Sequence, residues 1–456
     1  MRYRDSIANL TSPGKAVVSQ CKPPAISFKQ VFLRHKSINT PSRSSATNTE
    51  QQAANPGDGS ATTRFVPPIW FLALCSAVGV VGLTVLTPIL PLVRDDLNVS
   101  SASVQQMLSG YLLALAIGQL IWGPLSDRHG RRPILLVGAA LFVISGIAVT
   151  ALQDIQWLVL FRVVQGFGAA ACMAMARAMV NDVFARTEAA RQMSTISMVL
   201  SVAPALSLAF SGWLAVNAGW KSTMVILVAA GLLLLLSGCY VAKETNYHKI
   251  KKISMGTTFS AYCAVLRNPM FNFWTLASGM QVGMFFCLNS FLAYQYQRNG
   301  YSASEFGLWF ALTPLFYLLG NTFNRNWFVH KGLERAALLG CFLSLLSGVS
   351  MLLTQAMGFT HALSLALPCC LFGFANGIVI ANSTVGAISA ADNHRGTGTG
   401  IVGAWQMAAG GIAGAIIIAL GGAQHFVVAI SVVIVMACIS VASMLYIYRY
   451  RSAVSA

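Results

Sequence analysis

Residues 123–133 read Gly-Pro-Leu-Ser-Asp-Arg-His-Gly-Arg-Arg-Pro and separate two long apolar runs. The flanking runs, about 104–124 and 133–152, each have close to the ~20 residues that a membrane-spanning helix needs. Glycine and proline at the start of this stretch predict that the first helix ends there and that the chain turns tightly. The sequence therefore predicts two transmembrane helices joined by a short basic loop.

The same alternation of apolar runs and polar breaks begins at Pro67 and continues to the end of the chain. Of the 456 residues, 56% are hydrophobic and 9% are charged, whereas a soluble domain carries about 25% charged residues. This composition excludes a soluble globular enzyme, a disordered chain and a fibrous protein. It predicts twelve transmembrane helices, here called spans 1 to 12, with approximate bounds 69–92, 104–124, 133–152, 157–180, 192–216, 221–242, 269–293, 304–325, 336–355, 362–385, 397–420 and 426–448.

The placement of lysine and arginine predicts the orientation of these spans. With the N-terminus inside, 25 of the 30 Lys and Arg residues fall in inside segments, and three (Arg94, Lys221 and Arg298) fall outside. This bias is the positive-inside pattern, so we attribute the net charge of +17 to topology and expect no nucleic-acid partner. We predict an all-α polytopic inner-membrane protein, in contact with the lipid bilayer, with both termini cytoplasmic.

The longest inside loop, about 243–268, divides the spans into six and six. We predict two six-helix bundles, 65–242 and 269–448, a layout typical of secondary transporters with a site between the two halves. Residues 449–456 form a short cytoplasmic C-terminal tail. Residues 1–64 are polar and basic without a long apolar run, which predicts a disordered cytoplasmic tail. The alternatives for that segment are an organellar transit peptide and a start codon assigned too early.

Two ordered motifs resemble signatures of a known family. The first is the opening stretch, and the second is Leu158-x-x-x-Arg162-x-x-Gln165-Gly166-x-Gly168-Ala169-Ala170 in predicted span 4. Both resemble the drug-antiporter group of the major facilitator superfamily. Residues 176–182 and Gly396-Thr397 further resemble the Bcr/CflA-like bacterial drug-resistance exporters. The resemblance covers about residues 67–448 and implies the twelve-helix major facilitator fold and export of small molecules.

The resemblance also implies a conformational lock at the inner ends of the spans. Asp127 would face the start of span 11 near Gly396, where free backbone N–H groups favour a negative charge. Arg131 would pair with Asp182 at the end of span 4, and these contacts would hold the outward-open state. The alternative for Asp182 is a surface charge that caps span 4. The residues assigned to the lock are Gly123, Asp127, Arg128, Gly130, Arg131, Arg132, Asp182 and Gly396.

Arg162 lies within predicted span 4 among apolar neighbours. A charge inside a span usually faces a cavity or a partner, although an arginine can also snorkel toward the membrane surface. In family terms Arg162 resembles an arginine tied to proton handling and substrate response, and we group it with Gln165 and Gly166.

The 13 acidic residues all fall outside the predicted middle of the membrane. Thr84 stands where Bcr-like exporters commonly place an aspartate. Because proton antiport needs a protonation that competes with substrate, coupling is expected to run through Asp127 and Asp182 or to be weak. We expect the transmembrane proton gradient as energy source, with no cofactor, no metal and no catalytic residue, since the sequence has no P-loop and no metal-ligand spacing.

Uncharged polar and aromatic side chains in the spans are the candidates for a substrate cavity. They suit a small amphipathic organic solute, and the alternative for each is that it holds helices together. Without a central acid, an anionic or zwitterionic solute held partly by Arg162 fits at least as well as a cationic one. The candidates are Thr84, Thr87, Trp274, Gln281, Asn289, Asn321, Asn382 and Gln406.

Three functions follow from these observations. The first is a secondary active exporter of small amphipathic molecules, proton-coupled and acting as a monomer by alternating access. The second is an exporter of an endogenous metabolite, such as a siderophore, on the same fold. The third is a membrane receptor or scaffold that transports nothing and uses residues 1–64 as its interaction module.

Overall fold

The structure is a computed structural model that describes residues 65–184, 186–247, 255–328, 332–391, 395–422 and 425–455. The predicted tail 1–64 and its alternatives lie outside the described residues. Eleven of the described helices are long and apolar enough to cross a membrane, and a further helix carries a shorter apolar segment, Val202–Ala218. The prediction of an all-α membrane protein with twelve spans is confirmed.

The spans follow one another in the predicted order, with a linker helix, Met255–Leu266, between spans 6 and 7. Several spans extend beyond the predicted apolar runs, because their polar ends are also helical. In order, the spans are Ile69–Leu97, Ser101–His129, Arg131–Ala151, Ile155–Val183, Arg186–Ala218, Trp220–Tyr240, Pro269–Arg298, Ala303–Phe323, Leu333–Ala356, Ala362–Ala390, Arg395–Ala419 and Phe426–Ser455.

Polar caps fix where several spans begin. The Asp154 carboxylate accepts hydrogen bonds from the backbone N–H groups of Gln156 and Trp157, at 2.8 and 3.4 Å, and thereby starts span 4. Ser302 and Glu305 form a capping box at the start of span 8. Such caps satisfy N–H groups that have no partner within the helix, so the spans begin at defined residues.

The predicted end of span 2 is wrong. The helix does not stop at Gly123 and Pro124 but continues to His129, and the chain turns at Gly130, whose φ of 104° favours glycine. Because Pro124 has no N–H, the carbonyl of Leu120 loses its helical donor. The Tyr262 hydroxyl of the linker helix donates to that carbonyl at 3.3 Å, so the proline is accommodated inside the helix.

Span 1 is interrupted between Thr84 and Leu90, where a 3₁₀ turn replaces the α-helix. Pro88 cannot donate a backbone hydrogen bond, which favours such a break. The N–H of Leu86 donates to Leu83 at 3.2 Å instead of to Gly82, four residues back. The Gly82 carbonyl is therefore left free to accept a hydrogen bond from another span.

The two halves of the chain repeat one packing plan. In the first half span 4 packs on spans 1, 2 and 3, and span 3 packs on span 6; in the second half span 10 packs on spans 7, 8 and 9, and span 9 packs on span 12. The halves contact each other chiefly through spans 2 and 11 and spans 5 and 8. The prediction of two six-helix bundles is confirmed, and we call them the N-terminal and C-terminal bundles.

Close packing inside and between the bundles relies on small residues, as is usual for membrane helices. A Cβ atom on Gly138 of span 3 would lie 2.8 Å from the carbonyl oxygen of Gly168 in span 4. A side chain at Gly307 in span 8 would likewise collide with the Leu208 carbonyl of span 5. Larger apolar side chains, such as Leu206, which is 66% exposed, point away from both bundles as expected for a lipid-facing surface.

Candidate functional site

The loop between spans 2 and 3 carries a charged network centred on Arg131. The Arg131 guanidinium donates to the Asp182 carboxylate at 2.9 Å and to the Asp127 carboxylate at 2.6 Å. Its Nη1 also donates to the Ser126 hydroxyl at 2.5 Å. Arg131 is the first residue of span 3, directly after the turn at Gly130. Its side chain is only 12% exposed and lies between Asp127 of span 2 and Asp182 of span 4. We call this end of the molecule the basic end.

Residues that follow span 6 complete this network, and the sequence reasoning did not assign them to it. A single oxygen of the Glu244 carboxylate accepts the backbone N–H of Arg131 at 2.8 Å. The Thr245 hydroxyl donates to Asp182 at 3.2 Å, and the Asn246 amide donates to the Asp127 carbonyl at 3.1 Å. The signal available in the sequence was the position of Glu244, directly after an apolar run and on the same predicted side as Asp127.

The other residues assigned to the lock have simpler surroundings. Arg132 donates to the Cys239 carbonyl at 2.9 Å, and Arg128 is exposed. Apart from their chain neighbours and their own helix backbone, no atom of the described residues lies within 4 Å of a Cβ position built on Gly123 or Gly396. The approach of Asp127 to the start of span 11 stays a prediction, since residues 392–394 lie outside the described residues. The Arg131–Asp182 pair joins two spans of one bundle, so a lock between the bundles has to act through other contacts.

The linker helix contacts the same end through Tyr262, which the sequence reasoning also missed. Burial, and then the negative charge of Asp127, raise the pKa of Tyr262 above its usual value. The hydroxyl therefore stays protonated and donates to the carbonyl that Pro124 leaves free. A proline at the predicted end of a span and a tyrosine more than 130 residues later are too weak a signal to pair these two residues from sequence.

At the opposite end of the molecule, side chains join the two bundles directly. Gln297 of span 7 accepts from Arg94 at 3.0 Å and donates to Asp95 at 3.0 Å, both at the end of span 1. About two helical turns before Gln297 in span 7, the Ser290 hydroxyl accepts from the Gln105 side chain of span 2 at 2.6 Å. These contacts hold spans 1 and 2 against span 7, so the opposite end is closed in this conformation.

Arg162 lies fully buried inside the N-terminal bundle, with 0% exposure. It donates to the free carbonyl of Gly82 at 2.6 Å and to the Gln165 side-chain oxygen at 2.7 Å. Its guanidinium carbon lies 4.5 Å from the centre of the Tyr111 ring, a cation–π geometry. This burial excludes the snorkelling alternative. It also shows that helix carbonyl, amide and aromatic groups surround the charge rather than an open solute cavity.

Gln165 and Gly166 support this arrangement from the same span. The Gln165 amide nitrogen donates to the Phe142 carbonyl at 3.3 Å, which turns its oxygen toward Arg162. Gly166 lies against span 2, where a Cβ would be 2.6 Å from the Tyr111 carbonyl oxygen. The predicted grouping of Arg162, Gln165 and Gly166 is therefore a contiguous cluster in the structure.

The predicted cavity residues mostly contact neighbouring helices in this conformation. They are buried apart from Asn321 and Gln406, which are half-buried. Thr84 and Ser207 share a hydrogen bond of 2.6 Å, and Gln406 donates to the Ser278 hydroxyl at 2.6 Å. The remaining contacts are Thr87 with the Leu83 carbonyl, Trp274 with Gly386, Gln281 with Ser344 and Ser440, Asn289 with the Phe285 carbonyl, and Asn382 with Asn324.

An apolar groove of about 540 Å³ runs between spans 11 and 12. Its lining includes Trp405, Ile412 and Val435, and the last two are 44% and 57% exposed. Because all of its lining belongs to the C-terminal bundle, the groove is a lipid-facing surface feature. It does not lie between the bundles, where a transported solute has to pass.

Comparisons with known proteins agree with this geometry. A family model described as Major Facilitator Superfamily matches residues 72–415. A bicyclomycin resistance protein homolog from Haemophilus influenzae is 24% identical over 351 residues, which cover 76% of this chain and 87% of that protein. Multidrug resistance protein D from Escherichia coli is 26% identical over 365 residues, covering 76% of this chain and 88% of that protein.

Solved structures show the same fold at low identity. A bacterial homolog of the human lysosomal transporter Spinster, crystallised in an inward-facing and unoccupied conformation, is 17% identical with a TM-score of 0.61. The match covers 83% of this chain and 93% of that chain.

Proposed function

The chain belongs to the Major Facilitator Superfamily, and from this premise we propose that it is a secondary active exporter of small amphipathic organic molecules. Its relatives include proteins named for bicyclomycin and multidrug resistance, which it matches over most of their length. This match is the observation that carries the proposal. The fold supplies two bundles that can move against each other, as transport by alternating access requires.

The distribution of charge supports an orientation with the basic end and both termini in the cytoplasm of the inner membrane. Arg128, Arg131 and Arg132 all lie at the basic end, and basic loops face the cytoplasm in such proteins. In this orientation the closed opposite end, held by Gln297, is periplasmic.

We further propose that the proton gradient drives export by a monomeric transporter and that coupling involves carboxylates at the basic end. Among the described residues, Asp127 and Asp182 are the acids that bind the Arg131 side chain at the basic end, and Glu244 accepts from the Arg131 backbone N–H. Protonation of one of these would weaken its hydrogen bonds with Arg131, which donates to both aspartates. Such a change would link proton binding to movement of the loop between spans 2 and 3.

Transport by everted membrane vesicles tests the function directly. Vesicles from cells that express the full chain are energised to make their interior acidic, and uptake of radiolabelled bicyclomycin is followed with and without a protonophore. We expect uptake well above vesicles from cells with an empty vector, and we expect the protonophore to abolish it. In vesicles that contain no protonophore and do not respire, an imposed pH gradient with an acidic interior should be enough to support uptake.

Each result has a distinct meaning. Uptake that resists the protonophore would contradict proton coupling while leaving export intact. A chain that inserts normally but moves neither bicyclomycin nor any other solute of a broad drug panel would contradict the proposed export and favour a receptor or scaffold.

A further inference from the structure

Arg177 is a second arginine within span 4, and its surroundings differ from those of Arg162. It lies 15 residues further along the helix, which places it on the order of 22 Å closer to the basic end. Its side chain is half-buried rather than enclosed. Its Nη2 donates to the Gln119 side-chain oxygen in span 2 at 3.1 Å, and its Nε makes a longer bond of 3.4 Å to the Met173 carbonyl.

Gln119 is held so that its amide nitrogen has no partner. A guanidinium has only donors, so the amide oxygen of Gln119 must face Arg177 and its NH₂ group must point away. That nitrogen is buried and makes no hydrogen bond to any described residue, while the whole Gln119 side chain is 7% exposed. A buried polar group without a partner is costly, so an acceptor that reached this nitrogen from outside the chain would stabilise it.

Both groups face the seam between the bundles. A Cβ on Gly403 of span 11 would lie 2.5 Å from the Gln119 oxygen and 3.3 Å from Arg177 Nη1. Nη1 itself has no hydrogen-bond partner among the described residues. Two donors, Nη1 of Arg177 and Nε2 of Gln119, therefore stand on the N-terminal bundle at its contact with span 11, without an acceptor for either.

No acidic side chain on the facing spans neutralises Arg177. The segments 306–324, 336–391 and 396–448 of the C-terminal bundle contain no Asp or Glu in their sequence. Among the described residues, Arg177 takes part in no ion pair, and the nearest carboxylate on its own span, Asp182, is bound to Arg131. A charge within a span normally has a partner, and a negatively charged ligand group would supply one for Arg177.

We propose that Arg177 and Gln119 form an oxyanion-binding site in the transport pathway, which binds the carboxylate of a zwitterionic or anionic amphipathic solute. This inference rests on the proposed export function and names its substrate class. The planar guanidinium fork can donate two parallel hydrogen bonds to one carboxylate, and the Gln119 amide supplies another. The assignment moves the anion-binding role that the sequence gave to Arg162 onto Arg177, because Arg162 is fully enclosed and its contacts, with Gly82, Gln165 and Tyr111, all lie within the N-terminal bundle.

Two dyes that differ only at one carboxyl group test the site. Rhodamine 110 is a zwitterion with a free carboxylate, and rhodamine 123 is its methyl ester and a cation. Binding of each dye to the purified full chain in detergent is measured by fluorescence anisotropy. The wild-type chain should bind rhodamine 110 about tenfold to a hundredfold more tightly, the range given by charge-assisted hydrogen bonds. Vesicle uptake should show the same preference.

Substitutions locate the preference. Arg177→Gln should lower the affinity for rhodamine 110 until the preference over rhodamine 123 is lost, and it should not weaken binding of the cationic rhodamine 123, which the guanidinium repels. Arg177→Lys should keep part of the preference, because it retains the charge but not the fork. Gln119→Leu, which leaves Arg177 in place, should reduce the preference about threefold to tenfold. Arg335→Gln, the same change at an exposed arginine of the basic end, should keep the full preference.

Several results would overturn the proposal. One is a wild-type chain that binds both dyes equally; another is an Arg177→Gln chain that keeps the preference for rhodamine 110. If Arg177→Gln fails to fold, an unchanged preference in Gln119→Leu is also contradictory. In each of these cases the export function stands as long as the wild-type chain transports bicyclomycin. A wild-type chain that transports no tested solute contradicts the export function instead.

A lipid phosphate offers the same oxyanion chemistry as a solute carboxylate. The anisotropy titration is therefore repeated with dihexanoylphosphatidylglycerol as competitor. Solute binding predicts that the lipid displaces rhodamine 110 weakly and that Arg177→Gln does not change lipid affinity. Tight, Arg177-dependent binding of the lipid together with no dye preference would show that the site holds a headgroup and would overturn the solute assignment.

Discussion

The two bundles share one packing plan and differ in the chemistry of their interiors. The N-terminal bundle holds Arg162 and Arg177 within a single span, and a charged network around Arg131 at its basic end. The C-terminal bundle carries its charges only at the ends of its spans, such as the Glu334–Arg451 pair, and the middles of these spans carry uncharged polar groups instead. Gln281, for example, accepts from Ser344 at 3.0 Å and donates to Ser440 at 3.3 Å, all fully enclosed.

The difference indicates a division of labour. Neutral hydrogen bonds between membrane helices stabilise packing by modest amounts, about 0.6 kcal/mol on average in one measured membrane protein. A buried arginine without a carboxylate needs a particular arrangement of acceptors, such as the carbonyl that the break in span 1 exposes. We infer that the N-terminal bundle carries the residues that sense solute and protons, and that the C-terminal bundle is the frame against which it moves.

The largest effect is expected at Arg162. Arg162→Ala leaves the Gly82 carbonyl and the Gln165 oxygen without their donor, each at a cost of about 1–3 kcal/mol for a buried polar group. We expect bicyclomycin uptake by everted vesicles to fall at least about tenfold, since the break in span 1 loses its support. Arg162→Lys should keep part of the activity, because one donor can still reach a carbonyl.

Membrane levels and thermal unfolding of the purified chain serve as the control for Arg162. Normal uptake by Arg162→Ala would show that the buried arginine is dispensable. The contrast between the two bundles would then have no functional meaning.

The charged network at the basic end should give the next largest effect. Arg131→Ala removes the donor of both Asp127 and Asp182, and we expect uptake to fall about threefold to tenfold. Asp182→Asn should give a similar loss. The double variant should be no worse than either single one, because residues of one network are not additive. Vesicle uptake measures all three, and fully additive losses would contradict a shared network.

A smaller effect is expected where the bundles meet at the opposite end. Gln297→Leu removes the group that binds both Arg94 and Asp95, which should favour opening of that end. In a Ser101→Cys background, labelling by a membrane-impermeant maleimide in right-side-out vesicles should rise about threefold, which corresponds to a shift of less than 1.4 kcal/mol. Ser101 suits this because it is 7% exposed at the start of span 2.

Gln156→Leu is the matched control for Gln297→Leu. Gln156 is an exposed glutamine at the same end, but it lies on the N-terminal bundle alone. Equal labelling in both variants would mean that the bridge between spans 1 and 7 does not keep this end closed.

The sequence predicted the spans well because each is an apolar run long enough to cross the membrane. It failed at the end of span 2, since the support for Pro124 comes from Tyr262, far away in the chain. It also placed Arg162 in span 4 but could not assign its acceptor. That acceptor is a backbone carbonyl, which becomes free only through the local break of span 1.

Pairs of polar side chains on different spans could not be predicted from the sequence, because their contact depends on how the helices pack. Gln119 and Arg177 are 58 residues apart, and neither belongs to a motif that predicts their contact. The pair of Arg131 and Asp182 was predicted only because the residues around them resemble a family motif, and that resemblance implies the pair. Hydrophobic periodicity identifies helices, whereas the pairing of polar groups depends on their relative rotation.

The smallest effect is expected at Gln281 in the C-terminal bundle. Gln281→Met keeps the volume of the side chain and removes its amide. The two serines that bind it each have another acceptor, since Ser344 also donates to the Gly340 carbonyl at 3.1 Å and Ser440 to the Ala277 carbonyl at 3.4 Å. No donor is therefore left unpaired, and bicyclomycin uptake should stay within about twofold of wild type while unfolding shifts by about 1 kcal/mol or less. If Gln281→Met lowered uptake as much as Arg162→Ala, the Gln281 amide in the C-terminal bundle would be required for transport. That result would contradict the division of labour.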